Sequence, residues 1–270
     1  MSILVTVASI GVFVSKSAFA GPEVSVMTSS SIPPYAIAAQ NNGIVVDVLT
    51  SAFAWEGVSV RFLYASNRRV AQEFDEGHVD GVYNLPCTED RTERFFSVPI
   101  IDYAPVVVTL ESNHLSINRI EDLDGKRLVA FQRARDFLPQ AAQALVEADH
   151  SYSEVSDQSL QVEMLLAGHA DAIIIDERIF TYYYQRTIRA LTTSDRINIH
   201  HLFLPMRRCA VFRSKSNRDV ANRGIEHVRA TGEYDLILAR YKSEHSLPVV
   251  SLASDPMSDP NGRQTRPMGH

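Results

Sequence analysis

A short charged segment at residues 88–94 is the first candidate for chemistry in this sequence. Two arginines, Arg91 and Arg94, lie among three acidic residues directly after Cys87. An arginine offers a planar fork of N–H donors that matches a carboxylate. It can equally pair with a neighbouring acid on a solvated turn, which contributes about 0–1 kcal/mol and needs no ligand. The residue types alone leave both roles open for either arginine.

Residues suited to catalysis or metal binding do not form recognisable groups. The sequence contains no GxSxG, HExxH or CxxC motif and no Cys/His cluster. The adjacent His200 and His201 fall in a predicted strand, where their side chains would point to opposite faces. We therefore predict no catalytic residue, no metal, no cofactor and no enzymatic activity.

The N-terminus indicates export. The apolar run ILVTVASIGVFV is followed by AFA at residues 18–20, which places small residues at the −3 and −1 positions before Gly21. The run is too short to span a bilayer comfortably. No Lys or Arg precedes it, which is unusual for a leader, and a buried N-terminal strand is the alternative. We predict a signal peptide at residues 1–20 and a periplasmic mature protein. In that oxidising compartment Cys87 and Cys209 could pair, but their spacing leaves the pairing open.

Composition places the mature chain among soluble globular proteins. The 270 residues are 45% hydrophobic and 21% charged, with a net charge of -6. Nucleic-acid binders usually carry a basic stripe, and no basic run of five residues occurs here. We therefore predict no nucleic-acid partner. The length suffices for one large domain or two lobes.

The elements that must position these side chains alternate between strand and helix. Hydrophobic periodicity predicts both kinds of element, and several helices end at glycine. The predicted strands are 23–27, 58–64, 79–84, 104–111, 126–131, 170–176, 197–203 and 209–214. The predicted helices are 47–55, 67–77, 136–148, 157–168, 177–191 and a pair within 217–244 that is broken at Gly232. This order predicts an α/β fold with largely parallel sheets.

Two sets of alternating elements predict two lobes. The strands at 104–111 and 209–214 bracket the second set, so two strand-like crossings would join the lobes as a hinge. We predict a first lobe at 21–106 and 206–245, a second lobe at 107–205 and a disordered tail at 246–270. The cleft between two such lobes is the expected ligand site.

The mature chain resembles the family 3 extracellular solute-binding proteins of ABC importers, the polar amino-acid type. The resemblance covers about residues 23–244 and rests on the order and spacing of several segments, none of them specific alone. These segments are PPY (33–35), GIVVDVL (43–49), GHVDGVYN (77–84), TEDRTERFFSVP (88–99), EDLDGKRLVAFQ (121–132), LLAGHADAIIIDE (165–177) and TGEYDLILARY (231–241). It implies the two-lobed periplasmic binding protein fold of type II.

The resemblance also implies roles for individual residues. Arg91 occupies the position of the arginine that binds the ligand's α-carboxylate, and Asp176 that of the acid that binds its α-ammonium group. Asp176 could also cap the helix that begins at Glu177. Thr88 lies in the family's Ser/Thr-rich turn, and Asn84 lies where a backbone or hydroxyl contact is usual. Arg94 is interpreted as a surface residue.

Several positions depart from the family pattern. Pro86 replaces a hydroxyl residue, and Ile32 replaces a ligand-stacking aromatic, for which Tyr35 could compensate or serve as core. Arg133 and Arg135 stand where the family has small neutral donors before a helix N-terminus, a place that already favours anions. The hypothesis is that the ligand is more acidic than a standard amino acid. The alternative is that both arginines face solvent or pair with Asp136 and Glu177.

The implied function is capture of a small polar or anionic solute, an amino acid or related anion, by a monomeric binding protein that delivers it to the membrane permease of an ABC transporter. Two alternatives share the fold. A dehydratase of the cyclohexadienyl type would use Arg91 and Arg133 to hold carboxylates, with Asp176 or Glu177 as the acid. A ligand sensor would present its closed form to a membrane receptor.

Overall fold

The computed structural model describes residues 21–90, 94–136, 143, 151–191 and 196–243. Within them lie two β-sheets flanked by helices, the predicted α/β architecture. The predicted signal peptide, the tail and most of the predicted helix at 136–148 lie outside the described residues. None of the described helices is both long and apolar enough to cross a membrane.

The first sheet is built from the two ends of the described chain. Its strand order is β2-β1-β3-β11-β4, and β5 also pairs with β11. β1 runs parallel to β2 and β3, whereas β11 is antiparallel to β3. The strands are β1 (Glu23–Ser29), β2 (Ser59–Ala65), β3 (Gly81–Pro86), β4 (Phe95–Phe96), β5 (Ile101–Tyr103) and β11 (Met206–Phe212).

The second sheet uses the intervening residues. Its order is β10-β6-β9-β7-β8, with parallel pairs at β7–β8 and β7–β9 and antiparallel pairs at β6–β9 and β10–β6. Its central strands β6 and β9 are buried along their whole length, because helices cover the sheet. The strands are β6 (Pro105–Leu110), β7 (Leu128–Phe131), β8 (Tyr152–Val155), β9 (Ala172–Asp176) and β10 (Ile197–His200).

Helices begin and end largely where their sequence signals predict. Ser66 and Ser214 cap α2 and α5, each accepting a hydrogen bond from the backbone N–H three residues on. Gly232, at φ 77°, takes the left-handed conformation that separates α5 from α6. The described helices are α1 (Ile44–Trp55), α2 (Asn67–Asp75), α3 (Ser159–Leu166), α4 (Glu177–Leu191), α5 (Lys215–Ala230) and α6 (Glu233–Ser243).

The chain passes between the sheets twice, as the fold requires. The first passage is at Ala104, between β5 and β6, and the second joins β10 to β11. Cys87 and Cys209, whose pairing the sequence does not determine, form a disulfide with a Cα–Cα distance of 5.1 Å. It ties the end of β3 to β11 on the first-sheet side of both passages.

Some predicted elements were wrong in extent. The strand predicted at 197–203 ends at His200, so His201 is not its strand neighbour and the argument about opposite faces does not apply to the pair. The ring of His200 instead contacts the Thr109 hydroxyl at 3.0 Å, and burial lowers the pKa of this histidine. The strands β4, β5 and β8 were not predicted, because segments of two to four residues carry little periodicity.

Candidate functional site

A cavity of about 190 Å³ lies between the two sheets. It is smaller than the pockets of several hundred Å³ that hold drug-sized ligands, which suits a metabolite of amino-acid size. Much of its wall is apolar, and its polar side chains come from both sheets. Those lining polar residues are Asn67, Asp75, Tyr83, Asn84, Arg94, Tyr103, Arg133, Gln158, Asp176 and Arg208.

Asp176 ends β9 at the cavity and is almost completely buried, at 4% exposure. Its Oδ1 accepts hydrogen bonds from the backbone N–H groups of Arg178 and Ile179, at 3.0 and 3.2 Å, and therefore caps α4. Its Oδ2 accepts one from the Ala104 N–H at 2.8 Å, at the passage between the sheets. Burial raises the pKa of this carboxyl, and the backbone donors partly oppose that shift.

Tyr35 lies beneath the cavity rather than in its lining. It is fully buried, and its hydroxyl donates to Asp176 Oδ1 at 2.9 Å. The Arg178 guanidinium donates to the same hydroxyl at 3.1 Å and to the Asp102 carbonyl. The Tyr35 ring stacks on Tyr103 with centroids 4.1 Å apart. Of the two roles left open for Tyr35, ligand-stacking aromatic or core, the structure shows a core residue that stacks on Tyr103 and hydrogen-bonds Asp176.

Arg208 is a cavity residue that the sequence analysis missed. It lies in β11, is 3% exposed, and places its guanidinium carbon 5.0 Å from the centroid of the Tyr103 ring. The strand predicted from the sequence begins at Cys209, whereas β11 begins at Met206 and includes Arg208. The charges directly ahead of the apolar run CAVF are visible in the sequence, but they do not distinguish the buried Arg208 from the exposed Arg207.

Asn84 reaches the cavity through a β-bulge. The register between β3 and β11 shifts at Cys209/Ala210, so that Leu85 and Tyr83 have partners and Asn84 is the additional residue. Asn84 adopts φ 88°, a conformation that asparagine tolerates better than most residues. Bulges re-aim side chains near functional sites. Its buried Oδ1 has no hydrogen-bond partner within the described residues.

The two lobes touch across the cavity mouth. The Gln158 side chain donates to the Ser31 carbonyl at 2.9 Å, and the Ser31 hydroxyl donates to the Ser156 carbonyl at 3.0 Å. On the other side the Gln132 side chain accepts from the Arg68 backbone N–H at 3.0 Å. These contacts join the two lobes beside the cavity.

Comparison with protein families gives the decisive observation: the model of the bacterial extracellular solute-binding proteins, family 3, matches residues 24–244. The chain belongs to this family. This match confirms the resemblance and the two-lobed periplasmic binding protein fold. Comparison of the sequence with curated proteins finds no match.

Several solved structures share the fold of this family 3 protein. An ancestral arginine-binding protein bound to glutamine is 20% identical with a TM-score of 0.68, covering 81% of this chain and 97% of its own. A histidine kinase sensor domain similar to periplasmic binding proteins is 18% identical with a TM-score of 0.70, covering 81% and 95%. A binding protein of an ABC uptake transporter from Streptococcus pneumoniae, with bound histidine, is 19% identical with a TM-score of 0.68, covering 83% and 93%.

The arginines suggested by the family pattern occupy different places. Arg91 lies outside the described residues. Arg94 is a surface residue, as expected, with 39% of its side chain exposed. It also lines the cavity, pairs with Asp75 and lies over the Phe74 ring. Thr88 is exposed, and its hydroxyl contacts the Glu89 carbonyl.

Arg133 and Arg135, which follow β7, each pair with an acidic residue, and Arg133 also lines the cavity. Arg133 lines the cavity at φ 67°, and its Nε pairs with Asp136 at 2.7 Å. Arg135 pairs with Glu154 at 3.6 Å and lies near the Tyr152 ring. Pairing with Asp136 and a place in the cavity were alternative expectations for Arg133, and the structure shows both.

One further group has metal-ligand chemistry. Ligand atoms of Glu73, Glu76 and His78 lie within 4.8 Å of one another at the end of α2. Glu73 pairs with both Arg69 and His78, so ion pairing explains the arrangement.

Replacing Tyr35 with phenylalanine should lower the free energy of unfolding by about 1–3 kcal/mol, because buried partners would lose their hydrogen bonds. Tyr64→Phe is a matched control, since its hydroxyl bonds only Asn41 at an exposed site and should cost at most about 1 kcal/mol. Urea denaturation of both variants measures the difference. Equal small effects would contradict the buried role of the Tyr35 hydroxyl.

Proposed function

We propose that this family 3 protein captures a small carboxylate-bearing solute, an amino acid or related anion, and delivers it to the permease of an ABC transporter. The observation that carries the proposal is the cavity between the sheets, which is lined by a buried acid and several arginines. Charge-assisted hydrogen bonds in such a cavity would provide affinity without a catalytic group.

The proposed contacts follow from this geometry and the family pattern. Arg91 would bind the α-carboxylate. Oδ2 of Asp176, which accepts one hydrogen bond from Ala104, would accept a second from an ammonium group. Asn84 and Arg133 would contribute from opposite walls. Tyr35 would act indirectly, by orienting Asp176. Thr88 is exposed and Arg135 pairs with Glu154, so we expect both to contribute less to binding.

Closure of the lobes would couple binding to delivery. The contacts across the cavity mouth, such as Gln158 with Ser31, form only when the lobes meet. A bound solute would stabilise that closed arrangement, which a permease could then recognise. Family membership supports an extracytoplasmic location. We also propose a signal peptide at 1–20, whose removal leaves a periplasmic monomer. The proposed lobes are 21–106 with 206–245, and 107–205.

A panel of small carboxylates tests the proposal. A true ligand at one hundred times its Kd should add ~2.7 kcal/mol to the free energy of unfolding. Thermal-shift screening with neutral amino acids, acidic amino acids and dicarboxylates should identify at least one stabilising compound. Small-angle scattering with and without that compound should report closure. Absence of any stabilising carboxylate would contradict the proposal.

Catalysis is the second candidate, because burial raises the pKa of Asp176 and a protonated carboxyl in a cleft can act as a general acid. Incubation of the purified protein with a prephenate-type cyclic carboxylic acid, followed by product analysis, separates the two functions. Stoichiometric binding without turnover is the expected result. Multiple turnovers would replace the binding proposal with a dehydratase.

A further inference from the structure

Arg208 lies in the cavity wall, a position that its neighbours in the sequence do not predict. It belongs to β11, opposite Ile101 of β5, and lies next to the second passage of the chain between the sheets. Its neighbour Arg207 is exposed, as expected for a charged residue in a strand. Arg208 is turned inward, at 3% exposure, and lines the cavity.

The packing of Arg208 leaves it suited to bind a carboxylate. Its guanidinium lies against the face of Tyr103, which in turn stacks on Tyr35. A guanidinium held on an aromatic face keeps its N–H donors in the plane of the group, where two of them match a carboxylate. Because the group is desolvated and held by packing, it would lose little conformational freedom on binding.

Neutral donors surround the same part of the cavity. Tyr83 and Tyr103 are buried cavity residues whose hydroxyls interact with each other. Burial raises the pKa of both phenols, which therefore stay protonated and able to donate. The amide of Asn84, placed by the bulge, faces the same cavity. Hydroxyl and amide donors complement an anion.

Arginines outnumber acidic residues in the cavity wall. Three arginines and two aspartates line it: Arg94, Arg133, Arg208, Asp75 and Asp176. Arg94 pairs with Asp75 and Arg133 pairs with Asp136, and the three arginines come from separate segments, so one carboxylate could engage only some of them. Asp176 already accepts hydrogen bonds from Tyr35 and from backbone N–H groups, which limits its capacity to attract a cation.

We propose that Arg208 is a specificity-determining residue that binds a second carboxylate, and that the solute is a small dicarboxylate or acidic amino acid. This inference rests on the proposed function, because it requires that the cavity bind a small carboxylate. It adds the charge class of the solute and the side chain that selects it. A neutral amide in place of the second carboxylate would lose the charge-assisted hydrogen bonds to Arg208.

Calorimetric titration of the full mature chain tests this inference. The probes are L-glutamate, L-aspartate, succinate and glutarate, compared with the near-isosteric L-glutamine and L-asparagine. Wild-type protein should bind at least one acidic probe about 10- to 100-fold more tightly than its amide counterpart. Arg208→Met should abolish that preference by weakening the acidic probe, with little change for the amide. Arg207→Met, the exposed neighbour, should retain it.

Further comparisons keep the outcome interpretable. Should Arg208→Met fail to fold by circular dichroism, Arg208→Lys retains the charge without the planar fork and should reduce the preference. The acid-to-amide comparison in wild-type protein requires no variant. Tight binding of a neutral amino acid that the Arg208→Met substitution does not weaken would overturn the inference and leave the proposed function intact. Lack of binding by every carboxylate to folded wild-type protein would overturn both.

Discussion

Replacing Gly224 with alanine should lower the free energy of unfolding by about 3 kcal/mol. Gly224 lies where α5 crosses α1, and a Cβ placed on it would be 2.1 Å from the Ala52 carbonyl oxygen and 2.7 Å from the Ala52 Cα. Both are backbone atoms, so no side-chain rotation can relieve the overlap. The helices would have to move apart, which would loosen the core on that face of the first sheet.

The sign of this effect distinguishes packing from helix propensity. In an exposed helix interior, a glycine-to-alanine change gains about 1 kcal/mol, and here the overlap should outweigh that gain. Urea denaturation measures the change. Glu226→Ala, at an exposed position in the same helix, is the control and should shift stability by less than about 0.5 kcal/mol. A more stable Gly224→Ala protein would refute the backbone contact.

Much of the fold could be predicted because its elements carry local signals. The strand predicted at 170–176 is apolar from Ala172 to Ile175, and that stretch forms the buried strand β9 of the second sheet. The two closing helices were separated correctly at Gly232 because that glycine adopts a positive φ. The order of such elements, together with the family resemblance, was sufficient for the two-lobed fold.

The cavity was less predictable because it depends on contacts between distant residues. The inward position of Arg208 depends on its packing against Tyr103, and no local pattern distinguishes it from the exposed Arg207. The orientation of Asn84 depends on a register shift between β3 and β11. Tyr35 lies under Asp176 rather than beside a ligand, which sequence order could not distinguish.

Replacing Cys87 and Cys209 with serine should lower the free energy of unfolding by about 4 kcal/mol. The bond joins residues separated by 122 positions in sequence. Cross-linking such a long segment restricts the unfolded chain strongly, and the native state gains by comparison. The whole second sheet lies within that segment, between β3 and β11.

Chemical denaturation in the presence and absence of a reductant measures this effect on the wild-type protein. Reduced and thiol-blocked wild type should match the double serine variant, which separates loss of the bond from the substitutions themselves. A midpoint that does not respond to reduction would contradict the prediction.

The disulfide should also affect binding, because Cys209 lies between Arg208 and the register shift that places Asn84. Without the bond, the end of β3 would still be held to β11 by backbone hydrogen bonds, including that from the Cys87 N–H to the Arg207 carbonyl. We therefore expect the reduced protein to fold at moderate temperature yet bind its solute more weakly. Stability and affinity should decline together on reduction, since one covalent bond fixes both the long loop and the wall of the cavity.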